Sequence, residues 1–567
     1  MFLFYQSQYR IPTQVLEKSE AEYTGIRLGW DPASNGIRSE GRLLLTGQHD
    51  RPIIVYSHRV SSGFAQGISF GLLILTGILL YLPWLSRRYD LNGLIEAWAL
   101  ENGALFSPHH LVYRPVGAIW HSLLSVFMPL ERSIPALQAL SALCGVIGLA
   151  GCFWIVRRWG LSSLASAGFA LALGISWSYW IYSTDASYII PAHAAAVLFL
   201  LCLDAEPLSR KRALIAALMN TLAIALWQAH IFLLLLWIGR WAFHKSASPR
   251  TLRHVREGLL ATLLFTALFY GGAGFWTLRS LHPLEWIRWV ITYETRLPVW
   301  GRLDMERLPE WVRSAVASWI PITDGLGWRA VGRGEIPELL PFISPVALLL
   351  ALSLALPRLI RALRQDFRWP SPAMALTMTC YGLFILWWDP AEPKWFISLN
   401  LFLILLLARG WRVDPGSWRA GAALWACVGL IATANFSRSI LPRHQGPHPY
   451  RELAHCVAQH MSDLDLFLAT DWMWAEYLRY FHRRDVLSLL DLSARHKSKA
   501  IVSQRIYAEI QRIHQRAGKV YMSDPAAYPA EYLQWLQIAT GFLREDLEAL
   551  QGHKAFRCLG LQFFEVR

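Results

Sequence analysis

One stretch of the chain, from Tyr89 to Trp120, gathers the side chains best suited to acid–base chemistry and to binding an anion. Its ionisable and polar residues are Asp90, Glu96, Glu101, His109, His110, Tyr113 and Arg114. A carboxylate can take a proton from a reacting group, and a cation can stabilise a departing anion. The stretch directly follows a strongly apolar segment, and ionisable groups beside lipid are costly to keep. We therefore expect these residues to belong to a functional site.

Each of these residues also has a structural interpretation. Asp90 precedes Leu-Asn-Gly-Leu-Ile-Glu, a pattern typical of a helix start that aspartate caps, and a cap can coexist with a role as base. Glu101 precedes Asn102–Gly103, a helix-end signal that would turn it towards the next histidines. In that position Glu101 either contacts an acceptor or a metal, or it is a solvated residue at the membrane interface. His109 and His110 can bind a cation together with an acid, but without fixed partner spacing we favour interfacial hydrogen bonding.

The composition indicates which kind of element must position these side chains. The chain has 567 residues, of which 54% are hydrophobic and 17% charged, and its mean hydropathy is +0.30. Because a soluble domain carries about 25% charged residues, we predict a mainly helical, polytopic membrane protein. The net charge of +14 lies in short loops between apolar segments. It forms no basic stripe with interleaved aromatics, so nucleic acid is excluded as a partner.

We predict a transmembrane bundle of about eleven helices over residues 63–434, because the apolar segments approach the roughly 20 residues that cross a bilayer. The predicted spans are 63–84, 134–156, 162–180, 188–204, 211–227, 229–243, 258–278, 340–357, 372–388, 395–409 and 418–434. The basic loops between them all fall on one side, which the positive-inside bias makes cytoplasmic. The other side then holds a first outer loop, 85–133, and a long outer loop, 279–336. The apolar piece 115–128 is predicted to lie in the interface.

Two further segments flank the bundle. Residues 1–62 lack the apolar core of a signal peptide and are predicted to form a poorly structured cytoplasmic arm. Residues 435–567 have the composition of a small soluble α/β domain, which the topology places on the extracytoplasmic side. Its strand-like runs are Leu464–Thr470, Asp485–Leu492, Lys519–Ser523 and a closing strand or hairpin at Phe556–Val566. Cys456 and Cys558 either pair there, if the domain is extracytoplasmic, or remain two unpaired thiols.

Cations on the predicted outer face need an explanation other than topology. Arg87 and Arg88 follow the first span and break the positive-inside bias, which suggests that they grip a lipid phosphate. Lys394 lies in a short loop between two spans, where Asp389 and Glu392 can supply the counter-charge that a buried cation needs. The alternative is that the lysine and the two acids only neutralise one another at the interface.

Several motifs together resemble the GT-C superfamily of membrane glycosyltransferases, which includes protein O-mannosyltransferases and lipid A aminoarabinose transferases. They are Asp90 opening the first outer loop, Phe106-Ser-Pro-His-His-Leu-Val-Tyr, a span ending in Arg-Arg-Trp-Gly, Ser183-Thr-Asp-Ala-Ser-Tyr, and Trp388-Asp-Pro-Ala-Glu-Pro-Lys-Trp-Phe. The likeness covers roughly residues 63–434 in layout. Two features depart from it. Asp90 is followed by Leu-Asn-Gly rather than by another acid, and the late loop has Lys-Trp-Phe where many relatives have Arg/Lys-Tyr and then Pro.

The resemblance implies an enzyme of the plasma (inner) membrane that transfers a sugar from a polyprenyl-phosphate carrier to a lipid, glycan or protein acceptor on the extracytoplasmic face. Asp90 maps onto the catalytic base. Acceptor or substrate contacts are predicted for Glu101, His109, His110, Tyr113 and Asp185. Binding of the carrier phosphate is predicted for Lys394, Arg114, Arg296 and Arg88. A divalent metal, Mg²⁺ or Mn²⁺, stays open as a cofactor, although the missing second acid after Asp90 weakens that assignment.

Two other classes of function stay open from the sequence. A transporter or lipid flippase predicts inverted repeats with Gly- or Pro-broken spans in matching halves, and the sequence has neither. A non-catalytic membrane scaffold whose tail binds a partner would leave the acids and cations of the outer face without a task. That class predicts that substitution of Asp90 changes nothing.

Overall fold

The computed structural model describes residues 58–243, 248–280, 282–291, 301, 303–321, 356–357, 360, 370–413, 418–446, 448–470, 472–496 and 498–567. Three sequence predictions fall mainly or wholly outside these residues: the arm 1–62, the span 340–357 and Arg296.

The first part of the described chain is helical. Its helices are α1 (His58–Tyr81), α2 (Leu91–Glu101), α3 (Tyr113–Ser125), α4 (Ile134–Arg158), α5 (Ser163–Gly174), α6 (Trp177–Thr184), α7 (Ile189–Leu203), α8 (Arg210–Leu226), α9 (Leu234–Phe243), α10 (Pro249–Leu278), α11 (Pro283–Ile291), α12 (Leu308–Ala317), α13 (Ser371–Trp388), α14 (Ile397–Val413) and α15 (Trp418–Asn435). Side-chain caps fix several starts, since Ser162, Ser209 and Ser248 each accept a hydrogen bond from a backbone N–H of the first turn.

Several of these helices can cross a membrane by length and composition. Within the described part they are Gln66–Trp84, Ile134–Arg158, Pro249–Leu278, Pro393–Arg412 and the helical run Trp418–Gln459. The pair α5 and α6, bent by 71°, adds one more if it forms a single span. Ile189–Leu203 and Gln228–Phe243 are apolar but shorter. The chain is therefore a multi-pass membrane protein in layout, and the number of about eleven spans stays a prediction.

The apolar piece 115–128, predicted to lie in the interface, coincides with α3. This helix has 13 residues, fewer than the roughly 20 needed to cross the hydrocarbon core. Ile119 and Leu123 are exposed on its surface, whereas Tyr113 and Gly117 are buried against the rest of the protein. An amphipathic helix too short to span is suited to lying along a membrane surface.

Helix α4 is the centre of the bundle and packs against α1, α5, α6 and α7. Glycines make the close approach possible. A Cβ at Gly148 would lie 2.1 Å from the hydroxyl of Tyr179, and one at Gly151 would lie 2.4 Å from Cγ1 of Val197. Small residues at helix contacts let backbones come close in membrane bundles. Helix α4 thereby holds α6 and α7, which flank Asp185, in fixed positions.

Two ends of the bundle differ in their chemistry. At one end, α1 and α6 terminate side by side, because Ser86 N–H donates to the Thr184 carbonyl at 2.9 Å. Gln138 of α4 donates to the carbonyls of both Ser86 and Thr184. At the other end, Trp159 Nε1 donates to the half-buried Asp204 at 2.8 Å. The first end carries the predicted site residues, and the second carries the basic loops.

The chain after α15 continues through a π-helical turn, Phe436–Ile440, into an α/β unit. Its helices are α16 (Leu441–Gln445), α17 (Pro449–Gln459), α18 (Trp472–His482), α19 (Leu489–His496), α20 (Lys499–His514), α21 (Ala530–Thr540) and α22 (Arg544–Glu548). Its strands are β1 (Leu466–Ala469), β2 (Asp485–Ser488), β3 (Val520–Ser523), β4 (Gln551–Cys558) and β5 (Leu561–Val566). The four strand-like runs identified in the sequence each contain one or two of these strands.

The strands form one five-stranded sheet in the order β2-β1-β3-β5-β4. β1 pairs in parallel with β2 and β3, with Leu466 opposite Asp485 and Val520. The β4–β5 hairpin adds antiparallel pairs at the β3 edge. The sheet is therefore mixed, because helices connect the first three strands whereas a tight turn connects the last two.

Alternate side chains of the sheet enter two different cores. Phe467, Ala469 and Phe563 belong to the large apolar cluster that also contains the bundle helices. Leu466, Leu468 and others pack on the opposite face against α20 and α21. A disulfide between Cys456 of α17 and Cys558 of β4 ties that helix to the β4–β5 hairpin. Of the two alternatives that the sequence left open for these cysteines, the structure has the paired one.

Candidate active site

Asp90 lies where α1, α2 and α6 meet. Its Oδ2 accepts a hydrogen bond from Asn92 N–H at 3.0 Å, so it caps α2 as the sequence pattern indicates. Its own N–H donates to Oδ2 of Asp185 at 2.9 Å. Within the described part of the chain, no hydrogen bond involves the second carboxylate oxygen, Oδ1. The cap thus fixes the carboxylate while leaving one oxygen for a further partner.

Asp185 follows α6 and is fully buried. It accepts hydrogen bonds from the N–H groups of Ala186 at 2.8 Å and Asp90 at 2.9 Å, and an ionic one from Arg443 Nη2 at 3.1 Å. Burial raises the pKa of this carboxyl to about 7, although Arg443 opposes the rise. Asp185 therefore holds the Asp90 backbone in place, with its own carboxylate satisfied by the protein.

Lys394 reaches the same place from the late loop before α14. Lys394 and Glu392 are 4% and 5% exposed, and Lys394 Nζ lies 3.2 Å from Glu392 Oε2. The ammonium group also interacts electrostatically with Asp90, Tyr182 and Asp389. The counter-charge that the sequence predicted for this lysine is therefore present in Glu392. Lys394 and Asp90, which come from opposite halves of the chain, interact electrostatically.

Aromatic rings border Lys394. Its Nζ lies 4.9 Å from the ring centroid of Trp395, and Trp395 stacks on Trp227 at 5.5 Å with an angle of 17°. His230 Nδ1 lies 2.5 Å from the hydroxyl of Tyr381, which is also packed against Trp227. The site thus has an apolar aromatic wall next to a buried cation, where a ring-shaped ligand can stack.

Arg443 and Tyr182 belong to this site although sequence reasoning missed both. Arg443 Nη2 donates to Asp185 and to the Arg88 carbonyl, at 3.1 and 2.6 Å. Tyr182 is buried and interacts electrostatically with Asp90 and Lys394. One signal could have found Arg443: like Arg87 and Arg88, it is a basic residue on the face that the positive-inside bias leaves acidic. We call Asp90, Asp185, Glu392, Lys394 and Arg443 the carboxylate–cation corner.

Arg88 and Arg114 take different positions relative to this corner. Arg88 is partly buried next to Arg443 and Tyr477, and its carbonyl joins the corner through Arg443. Arg114 forms a two-pronged pair with Glu96, at 2.7 Å from Nε and 3.2 Å from Nη2, and also donates to the Ala104 carbonyl. Arg114 therefore joins α2 to α3. Its contact with a carrier phosphate stays a prediction.

Glu101 lies at the far end of α2, one helix length or about 16 Å along the axis from Asp90. Its carboxylate accepts hydrogen bonds from Ser133 N–H at 2.9 Å and from the Tyr480 hydroxyl at 2.7 Å. Arg132 donates to its other oxygen at 2.7 Å. These contacts join α2 to α4 and to α18 of the α/β unit. They give Glu101 a role in docking that unit, and its contact with an acceptor stays a prediction.

His109 and His110 lie in the short 3-10 turn before α3, and Tyr113 is the first residue of α3. His109 Nδ1 lies 2.7 Å from Gln228 Oε1, and burial lowers the pKa of this histidine to about 4, so the ring is neutral at pH 7. His110 stacks on Tyr188 with ring centroids 3.4 Å apart, and Tyr113 meets the same tyrosine edge-on at 6.1 Å. Hydrogen bonding and stacking thus account for the histidine pair.

Metal binding was left open by the sequence. Among the residues that the structure describes, one group of His, Cys, Asp and Glu side chains is close enough to share an ion: Cys456, His460 and Cys558. Its two sulfurs are joined in the disulfide, so they are not thiolate ligands. The donor set does not fit a metal centre, and Mg²⁺ or Mn²⁺ at the corner stays a prediction.

Comparison with known proteins relates this geometry to solved structures. No protein-family model matches the chain, and no curated protein does. ArnT from Cupriavidus metallidurans bound to undecaprenyl phosphate is 13% identical, with a TM-score of 0.55 over 89% of this chain and 98% of that one. Its apo structure gives a TM-score of 0.57 at 14% identity over the same shares.

A second solved structure is more distant. The Archaeoglobus fulgidus oligosaccharyltransferase AglB, in complex with an inhibitory peptide and a dolichol-phosphate, is 11% identical, with a TM-score of 0.51 over 89% of this chain and 74% of that one. Identities this low carry information about the fold alone. The likeness extends over most of this chain. The chain has the GT-C fold of these membrane glycosyltransferases.

Proposed function

We propose that this protein transfers a sugar from a polyprenyl-phosphate carrier to an acceptor on the extracytoplasmic side of the plasma membrane. One observation supports the proposal above the others: Lys394 interacts electrostatically with Asp90 at one end of the bundle, although the two residues come from distant parts of the chain. Transfer from a phosphate leaving group needs a base and a cation within one site. The carboxylate–cation corner has both.

The chemistry divides among the residues of the corner. An acceptor hydroxyl or amine attacks the anomeric carbon, a new carbon–oxygen or carbon–nitrogen bond forms, and the bond from that carbon to the phosphate oxygen breaks. Asp90 takes the acceptor proton through Oδ1, the oxygen that the helix cap does not use. Lys394 stabilises the charge that returns to the departing polyprenyl phosphate, and Arg443 and Arg88, which are hydrogen-bonded to one another, add positive charge to the site. Asp185 positions Asp90 through its backbone N–H.

Two features support the proposed membrane orientation. The basic ends of α4, α8 and α14 lie opposite the corner, and basic loops face the cytoplasm in most membrane proteins. The Cys456–Cys558 disulfide lies in the α/β unit on the corner side, and disulfides persist in extracytoplasmic compartments. Both features favour an extracytoplasmic corner and tail.

The proposed carrier is supported by the neighbours of this fold. One of them is bound to undecaprenyl phosphate, and another is in complex with a dolichol-phosphate. A polyprenyl chain would lie along the apolar surface of the bundle and present its phosphate to the interface, where Lys394 and Arg88 are placed. The sugar would then meet the aromatic wall of Trp395 and Trp227.

Carrier binding provides the first test. The purified protein in detergent should bind undecaprenyl phosphate in native mass spectrometry and should not bind undecaprenol, which lacks the phosphate. Lys394→Gln should weaken this binding, whereas Arg210→Gln, an exposed arginine of the opposite end, should not. Equal binding of the phosphate and the alcohol by the wild type would reject the proposal. A flippase would also bind the carrier, so the second readout is release of the sugar from polyprenyl-phosphate sugars, which a flippase does not catalyse.

A further inference from the structure

A cavity with charged side chains in its lining lies beside the loop that carries Arg87 and Arg88. It has a volume of about 460 Å³ and is lined by Arg87, Arg451, Glu452, His455, Phe481 and His482. The lining comes from three elements: the loop after α1, helix α17 and helix α18. Pockets of this size commonly accommodate a small ligand or a head group. We call it the arginine–histidine cavity.

Its cations lack the acid partners found in the corner. Among the described residues, no carboxylate lies within 4.0 Å of the side-chain nitrogens of Arg87 or Arg451, whereas Lys394 and Arg443 each have one. Arg451 lies over the ring of Phe481 at 4.4 Å. The guanidinium groups of Arg87 and Arg451 both interact electrostatically with Tyr89. The one acid of the lining, Glu452, is exposed. The cavity therefore presents a net positive field to whatever enters it.

His482 adds a second, independent observation. Its buried Nε2 has no hydrogen-bond partner in the described structure, although it belongs to the cavity lining. Burial, together with the smaller electrostatic effects of His455, Arg484, Arg451 and Arg132, lowers the pKa of this histidine to about 4. Buried polar atoms are normally satisfied, so an unsatisfied one in a cationic cavity points to an absent hydrogen-bonding ligand.

The position of the cavity limits what that ligand can be. Arg87 follows the apolar span Gln66–Trp84 closely, so the cavity opens at the level of the membrane surface. Arg87 lines the cavity while the next residue, Arg88, is beside Arg443 of the corner. The two sites are therefore separated by the backbone of one loop. Arg87 is three residues before Asp90 in the chain, so a molecule held in the cavity would lie beside the loop that leads to Asp90.

We propose that the arginine–histidine cavity binds a phosphate group on the head group of the acceptor, presented at the membrane surface. This inference rests on the proposed transferase function, because it assigns the cavity to the acceptor of that reaction. Arg87 and Arg451 provide bidentate donors for phosphate oxygens, and the face of Phe481 packs beside the attached head group. The acceptor class is thus a phosphorylated lipid or glycolipid.

Phosphatidic acid, as a minimal phosphorylated membrane lipid, and inorganic pyrophosphate, as a soluble phosphate, are the probes for the test. The full-length protein in detergent is titrated with each probe, and bound species are counted by native mass spectrometry. Arg87→Gln/Arg451→Gln should bind phosphatidic acid at least about tenfold more weakly than the wild type. Arg505→Gln, an exposed arginine on α20, should bind it as the wild type does.

Further outcomes separate this inference from the proposed function. Arg87→Lys/Arg451→Lys, which keeps the charge but loses the bidentate geometry, should give an intermediate affinity and guards against misfolding of the glutamine variant. The glutamine variant should still bind undecaprenyl phosphate. Equal affinity of wild type and glutamine variant for phosphatidic acid would overturn the inference, and so would binding of pyrophosphate alone. If the wild type binds phosphatidic acid through these arginines but fails to bind undecaprenyl phosphate, the carrier proposal fails and the cavity remains an anion site.

Discussion

The carboxylate–cation corner and the arginine–histidine cavity handle charge in opposite ways. In the corner, Lys394 meets Glu392 at 3.2 Å and Arg443 meets Asp185 at 3.1 Å, so each buried cation has its own acid. The cavity is lined by Arg87 and Arg451 together with a neutral histidine, an aromatic ring and the exposed Glu452, and neither arginine forms an ion pair among the described residues. Charges compensated within the protein hold a fixed geometry before any substrate arrives. Uncompensated charges are satisfied by a ligand that brings the opposite sign. The difference therefore separates a place built for reaction from a place built for binding.

Of the changes proposed to the two sites, replacing the base Asp90 should have the largest effect. Asp90→Asn should lower the rate of sugar transfer by roughly 10²–10⁴-fold, because the amide does not take a proton. Thermal stability should stay unchanged, since asparagine caps helices as well as aspartate does. The readout is sugar release from polyprenyl-phosphate sugars, together with a melting curve. Asp524→Asn, another capping aspartate, in the α/β unit, is the matched control. Full transfer by a folded Asp90→Asn protein would remove the base assignment.

The second effect concerns the compensated pair of the corner. Lys394→Met should destabilise the protein by about 3–5 kcal/mol, because it leaves the buried Glu392 without a partner. The double variant Lys394→Met/Glu392→Gln should recover most of the stability but none of the transfer activity. This result would distinguish the role of Lys394 in transfer from its role in neutralising Glu392.

The control for this pair is an exposed one. Arg210→Met breaks its 3.6 Å contact with Glu257, where the arginine side chain is 75% exposed, and should change the stability by about 1 kcal/mol or less. The comparison uses the midpoints of thermal unfolding. If the double variant regains full transfer, Lys394 serves only to neutralise Glu392, the alternative that the sequence left open.

A moderate effect is expected outside both sites, at the joint between α2 and the α/β unit. Glu101→Gln should destabilise the protein by roughly 1–3 kcal/mol, because Arg132 loses its carboxylate and Tyr480 loses a charged acceptor. Transfer per folded molecule should be unchanged. A loss of transfer at normal stability would show instead that Glu101 contacts the acceptor, as the sequence first suggested.

The smallest effect is the pH dependence of the cavity. The pKa of His482 is about 4 in the folded protein and 6.5 ordinarily, because burial and nearby cations disfavour the imidazolium. The unfolded chain therefore binds the proton first, and stability is lost as the pH falls from about 6.5 to about 4. His482→Gln should flatten this part of a plot of melting temperature against pH. An unchanged slope in the variant would place the titration elsewhere.

The sequence predicted those parts of the site that depend on local spacing. The cap by Asp90 and the counter-charge of Lys394 from Glu392 are within a few residues of their partners, so pattern and chemistry sufficed. Arg443 and Tyr182 join the corner through folding of distant segments, and no local pattern specifies which cation reaches Asp185. Glu101 shows the same limit. Its contacts join α2 to distant segments that no local pattern identified, and its contact with an acceptor stays a prediction.

The fold was predictable to the same degree. Strand-like runs in the sequence located β1, β2 and β3 within a few residues, because short apolar segments are typical of strands in a sheet. The neighbours of each strand in the sheet were not predictable in this way. The pairing of β5 with β3 places the hairpin on the side of the sheet opposite β2, which is a long-range packing outcome.

The sheet with one face in the bundle core has a consequence for how the protein melts and how it can be cut. Phe467 and Phe563 contribute to the same apolar cluster as residues of α4 and α14. A fragment that begins after residue 448 would expose these rings to water and would be expected to self-associate. Conversely, a bundle without its tail would lose packing at the end that carries Asp90. The bundle and the α/β unit should therefore unfold in a single cooperative transition. A destabilising substitution in the α/β unit should also destabilise the end of the bundle that carries Asp90.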